Sequence, residues 1–218
     1  MKQYYVLGAG GMAREVENII KDLKKDNFFK GFIVQDKFFK DATLFDKPII
    51  TQSQLSHLDK QSIILINGIG SPSRSDWIEQ LLVQGYSFES VIHPSATIGT
   101  RVRLGQGCVV GSFCVLTTDI AIGDFAIINT HVSISHDCVI GSYVTVGPGS
   151  HLAGNTIIDR NAFLGIGTIT RPRVHIGNGT MTGAGSVIID NIDRGMLAYG
   201  VPAKEVRPIT KDDWKNLI

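Results

Sequence analysis

Net charge is almost absent from this chain: 21 lysines and arginines against 20 aspartates and glutamates leave +1 at pH 7. So even a balance gives no electrostatic reason to expect nucleic acid or an anionic membrane as a partner. Long apolar runs are missing too, since no stretch approaches the roughly 18 apolar residues that a membrane span requires. The N-terminal residues, MKQYYVLGAGG, turn glycine-rich too early for a secretory leader and read instead as a strand and a turn. A cytoplasmic location is the expectation. Cysteine is scarce, with only Cys108, Cys114 and Cys138 in 218 residues.

Glycine is abundant, at 24 residues, and much of it belongs to a repeat. From Ile92 to Ile188, in steps of six, fifteen of seventeen positions are aliphatic, Thr170 and Thr182 being the exceptions. Four residues after each of these guides stands a small or branched side chain, and nine guides are followed by glycine. A period of six fits neither an α-helix nor a flat sheet. It fits a parallel β-helix in which each hexad forms one short strand and one corner, and three hexads close a coil. The cysteines then fall at small inward positions on three different faces, which argues for buried fillers over a disulfide or a metal cluster. Phe113 and His131, and likewise Phe125 and Tyr143, are eighteen residues apart and are expected to stack on successive coils as exposed ladders or interface residues.

The first ninety residues differ. Strands are expected at Gln3 to Leu7, Gly31 to Val34 and Ile63 to Ile66, with helices from about Met12 to Lys25, from Thr51 to Leu58 and after Ser71-Pro72, and a loop around Pro48. This is a small parallel α/β unit. The expected division is 1–90 for that domain, 91–193 for the β-helix and 194–218 for a C-terminal tail ending in a helix near Lys211 to Leu217. The turn Gly8-x-Gly10-Gly11 joins a strand to a helix start, where backbone N–H groups favour a phosphate. One mononucleotide half suits a nucleoside diphosphate better than a dinucleotide, and Asp36 at the end of the second strand is placed to meet a base or ribose.

Gly8-Ala9-Gly10-Gly11, Ile92-His93-Pro94-Ser95-Ala96, Ser135-His136-Asp137-Cys138, Leu152-Ala153-Gly154-Asn155 and Gly200-Val201-Pro202-Ala203-Lys204 occur in that order along the chain. Together with the hexads they resemble the bacterial nucleotide-sugar N-acetyltransferases of the left-handed β-helix (hexapeptide-repeat) superfamily, and the related sialic acid O-acetyltransferases. The resemblance covers essentially the whole chain. It implies a Rossmann-like N-terminal domain followed by a left-handed parallel β-helix and a short tail. It also implies acetyl-CoA as co-substrate, a nucleotide-linked amino sugar as acceptor through its C4 amine, no metal, and a homotrimer with active sites between subunits. His136 is implied as general base, oriented by Asp137. Gly154 and Ala184 would offer backbone N–H groups to the acetyl-CoA, with Ile166 and Lys204 also at the cofactor. Gly8, Gly10, Gly11, Met12, Asp36, Lys37, Gly70 and Ser71 would hold the nucleotide sugar. Arg171, Arg173, Lys204 and Arg207 are candidates for the cofactor phosphates.

Two positions depart from the family pattern. Relatives often carry His where this chain has Met12, and some carry a second His nine residues after the base, where this chain has Thr145. His131 and His136 share a five-residue spacing with zinc-dependent carbonic anhydrases of the same architecture. The position that would supply their third ligand is Ser95, with His93 out of phase by two, so zinc is not expected. O-acetylation of a sialic acid, and a non-catalytic scaffold that senses a nucleotide sugar, stay open as alternatives.

Overall fold

The computed structural model describes residues 2–215. The chain opens with a five-stranded sheet built from β1 (Gln3–Leu7), β2 (Phe29–Val34), β3 (Thr43–Leu44), β4 (Lys47–Thr51) and β5 (Ile63–Asn67) in the order β3-β4-β2-β1-β5. All pairings are parallel except β3 with β4. The segment around Pro48, expected as a loop, is this β3–β4 hairpin. Its turn residues Phe45 and Asp46 adopt φ of 50° and 59°, the left-handed pair a tight hairpin needs. Helix α1 (Gly11–Asp22) buries Ala13, Val16, Ile19 and Ile20 against the sheet. Helix α2 (Gln52–Leu55) is shorter than expected and starts with a Thr51–Gln54 capping box. Helix α3 (Ser75–Val83) follows a turn capped by Ser71 with Pro72 at its first position.

From Val91 onward the chain winds into a left-handed parallel β-helix of three faces. The first face starts at Val91–Ile92, the second at Thr97–Ile98 and the third at Arg103–Leu104. They hold eight, six and five strands. Guides such as Val110, Leu116, Ile134, Leu152 and Leu164 are fully buried in one continuous core. Thr170 and Thr182, the two non-aliphatic guides, are accommodated because their hydroxyls meet Thr156 at 3.0 Å and Thr168 at 2.9 Å inside the prism. Corners turn through left-handed residues, among them Phe125, His131, Asp137 and Tyr143 with φ of 58–60°. The segment after residue 193 adds Met196–Gly200 and Ala203–Pro208 to the first face. The expected C-terminal helix occupies Lys211–Lys215, and its continuation to Leu217 lies outside the described residues. Among the described residues no helix is long and apolar enough to cross a membrane.

The α/β domain docks on the first face and on the edge between the third and first faces. Outward-facing Val91, Val109 and Ile127 join the apolar cluster of Val6, Val16 and Phe32. At the edge, the rings of Phe125 and Tyr143 stack at 5.2 Å, as their spacing predicts. They are not exposed, however: at 0 % and 3 % accessibility they pack with Leu65, Trp77 and Ile78, and Phe88 meets Phe125 edge-on. The α/β domain therefore covers this ladder. The Phe113–His131 pair also stacks, with ring centroids 5.1 Å apart, and stays on the surface.

One buried cation fastens the two domains. Arg74, 2 % exposed, donates from Nη2 to the carbonyls of Phe125, Tyr143 and Val144 at 2.8, 3.1 and 3.2 Å. Its Nη1 reaches Gly70 O at 3.1 Å and Thr145 Oγ1 at 2.9 Å. Burial pulls its pKa down to about 9, still well above neutrality. Arg74→Met takes this donor from the buried Phe125 and Tyr143 carbonyls, so we expect a loss of about 3 kcal/mol, and Arg74→Lys, which lacks the planar fork, should recover only part of it. Urea unfolding checks this; unchanged midpoints in both variants would contradict the clamp.

Candidate active site

The edge between the second and third faces carries a column of corner residues: Thr118, His136, Gly154 and Pro172, each eighteen residues from the next. His136 Nδ1 lies 2.7 Å from Asp137 Oδ2, and both side chains are more than half exposed. An ionised carboxylate only accepts, so the imidazole donates from Nδ1 and keeps its lone pair on Nε2. That is the tautomer of a general base. Directly above on the next coil lies Gly154. A Cβ there would stand 2.6 Å from His136 Cε1 and 2.7 Å from Nε2, so the ring rests on bare backbone. Asp137 occupies a left-handed corner at φ 60°. One coil below, Arg101 pairs with Asp119 at 2.5 Å and holds that carboxyl down to about 2.

Cations gather along the same edge. Arg171 and Arg173 flank Pro172 at the corner one coil above Gly154, and Arg171 Nε donates to Ile189 O at 2.6 Å. Lys204 reaches Asp190, in the His136 column three coils on, at 3.5 Å; both are exposed. Arg207 is different in being paired within the chain, with Asp213 at 2.8 and 2.6 Å. Ile166, 62 % exposed, and Ala184 sit on successive coils of another edge, between the first and second faces.

The glycine turn of the α/β domain forms a backbone cradle. Gly8 takes φ +90°, and a Cβ on it would crowd Ile69 and Gly68. Around Gly10, the N-cap of α1, and Gly11 there is open space. No side chain caps α1, leaving its first N–H groups for a ligand. Gly70 and Met12 close the same turn, with a Gly70 Cβ position 3.9 Å from Met12 Cβ. Thr145 Oγ1 donates to Gly70 O at 2.7 Å, which seats this loop on the first face. Ser71 is 1 % exposed and its hydroxyl meets Ser73, so it offers a ligand no side-chain group. Asp36 is exposed at the end of β2, its carboxyl held below the usual range mainly by the Ser53 hydroxyl and also by Thr51. Lys37 lies over the Phe38 ring at 4.9 Å.

The chain thus brings the expected residues together in two groups. His136, Asp137, Gly154 and the two arginines share the second–third edge. The glycine turn, Met12 and Gly70 sit on the first face. In a three-faced coil that face stands opposite that edge, so one chain does not join them. Sequence reasoning missed Arg74 and the role of Thr145, because each depends on a partner about seventy residues away. It also missed Gly68, where a Cβ would stand 2.6 Å from Leu7 O. The three cysteines are buried, and burial pushes the thiols of Cys108 and Cys114 up to about 11, so they offer no thiolate nucleophile. His93 has both ring nitrogens engaged, by Asp22 and Ser95 at 2.8 Å each.

No protein-family model matches the chain, and no curated protein is significantly similar in sequence. Solved structures are similar over nearly the full length. PerB from Caulobacter crescentus, a perosamine N-acetyltransferase solved with CoA and GDP-perosamine, is 32 % identical, with a TM-score of 0.87 over 95 % of this chain and 98 % of that one. WeeI from Acinetobacter baumannii AYE is 26 % identical, with a TM-score of 0.87 over 94 % of this chain and 100 % of that one. The acetyltransferase domain of PglB from Neisseria gonorrhoeae FA1090 is 29 % identical, with a TM-score of 0.85 over 94 % of this chain and 100 % of that one.

The contact between His136 and Gly154 gives a direct test. In Gly154→Ala a crystal structure should show the imidazole swung off the column and its bond to Asp137 broken, with the β-helix unchanged. An undisturbed ring would mean that the glycine does not position it.

Proposed function

The chain belongs to the sugar N-acetyltransferases of the left-handed β-helix class, and from that membership we propose that it transfers the acetyl group of acetyl-CoA to the C4 amine of a nucleotide-linked amino sugar, with His136 as general base. The observation that carries this is the His136–Asp137–Gly154 arrangement: an oriented imidazole with Nε2 free, on an exposed edge, over bare backbone. His136 Nε2 takes a proton as the amine nitrogen bonds to the acetyl carbonyl carbon. The Gly154 N–H is the donor that stabilises the resulting oxyanion. As the C–S bond breaks, His136 returns the proton to the departing thiolate, and Asp137 steadies the imidazolium in between. Arg171, Arg173 and Lys204 supply cations on the same edge for the cofactor phosphates, and the glycine turn receives the nucleotide diphosphate.

The opposite placement of the two groups supports an assembly in which one subunit's His136 edge faces a neighbour's glycine turn, with the neighbour's Ile166 and Ala184 beside it. A homotrimer fits this arrangement.

Two measurements test the proposal. His136→Ala should lower turnover by about 10²–10⁴-fold, with little change in binding of the nucleotide sugar; unchanged turnover removes His136 from the mechanism. Second, His136→Ala chains and chains carrying Gly8→Val should each be inactive alone. Co-refolded in equal amounts, they should regain activity as about one site in four pairs two intact halves. Mixed assemblies with no recovery would place both halves of each site in one subunit.

A further inference from the structure

A cleft of about 570 Å³ opens where the start of α3 meets the upper coils of the third–first edge and the C-terminal segment. It falls in the size range of small-ligand sites, and no step of acetyl transfer uses it. Its groups are specific in kind. Ser75 is 7 % exposed and lines the cleft. Asn161 has a buried amide oxygen without a hydrogen bond. Asn161 itself lines the cleft. Ser73 and Asn178 add uncharged donors and acceptors.

Arg194 is the one charged side chain in the lining, and it makes no ion pair with another described residue. Trp214 forms an apolar wall beside Ile209. Its helix is pinned by Asp213, which binds Arg207 and accepts from Thr210 N at 2.7 Å. We propose that this cleft binds an acidic saccharide, its ring face against Trp214, its hydroxyls on the serine and asparagine groups and its carboxylate on Arg194. A bare phosphate would leave the tryptophan wall and both amides unused. A nucleoside diphosphate would bring more negative charge than a single arginine matches. Ser71 caps the turn before α3 and meets the Ser73 hydroxyl at 2.9 Å, so the cleft borders the glycine-turn side of the domain without belonging to it.

Ligand-observed saturation-transfer NMR on the full chain tests this without acetyl-CoA, so its outcome is separate from that of the acetyl-transfer assay. The probes are a glucuronosyl disaccharide, lactose, inorganic phosphate and GDP. Saturable binding of the glucuronosyl disaccharide is expected, weakened about tenfold in Arg194→Met, the order of one charge-assisted hydrogen bond. Ser75→Ala and Trp214→Ala should weaken it as well, and lactose should bind more weakly than the acidic sugar. No binding, equal affinity in Arg194→Met, equal affinity for phosphate alone, or displacement by GDP would each overturn the assignment.

Discussion

Everything in the β-helix follows from the closure of the coil. Each strand's N–H groups bond carbonyls about one coil away, as Val91 does with Cys108, Val109 with Ala126 and Ile127 with Val144. A residue gained or lost within a strand would slip that strand against its neighbours on the face. The period of eighteen is therefore fixed by backbone hydrogen bonds that cannot be left unmade in a buried core. The chemistry inherits it. His136 lies against Gly154 because they are one coil apart, and Asp137, next in the chain, is within hydrogen-bond reach of the ring. The same closure gives the prism an edge and a face that cannot meet, which makes the separation of the two candidate groups a consequence of architecture and not of local detail.

Attaching a second domain to such a prism requires contacts the repeat does not provide. Apolar packing of Val91, Val109 and Ile127 fixes the distance between domains but is weakly directional. Arg74 supplies direction. Its guanidinium satisfies three carbonyls from the third–first edge and, through Gly70 and Thr145, ties the loop beside the glycine turn to one coil of the first face. A lysine is a poor substitute, since a point charge with three donors cannot serve this flat spread of acceptors. No carboxylate accompanies the charge among its hydrogen-bond partners. Four carbonyl oxygens and the Thr145 hydroxyl compensate its desolvation, in keeping with a pKa that falls to about 9 while the group stays charged.

How legible this was depends on the range of each interaction. The hexads, the strands and helices of the α/β sheet and the His136–Asp137 pair are patterns within a few residues or one coil, and the sequence displays them directly. The Phe125–Tyr143 stack was legible for the same reason. Its burial was not, because the cover comes from Leu65, Trp77 and Phe88, and spacing within the repeat contains no information about them. The β3–β4 hairpin was hidden by Pro48, which reads as a loop signal although it sits beside an edge strand that asks little of it. Arg207 read as a free cation because a surface arginine and a paired one look alike until Asp213 is placed next to it.

Thr145 shows how the two levels interact. Set against the second histidine that the family resemblance implies for some relatives, it reads as an absent imidazole. The coil count places it on the first face, across the prism from His136 of its own chain, so a side chain at 145 cannot assist that imidazole. Its hydroxyl instead donates to Gly70 O at 2.7 Å and accepts from Arg74 at 2.9 Å, at 2 % exposure. An imidazole in the same place would have to displace the arginine from the threonine oxygen or the loop from the coil. Threonine at 145 and arginine at 74 therefore form a matched pair that seats the loop beside the glycine turn on the first face.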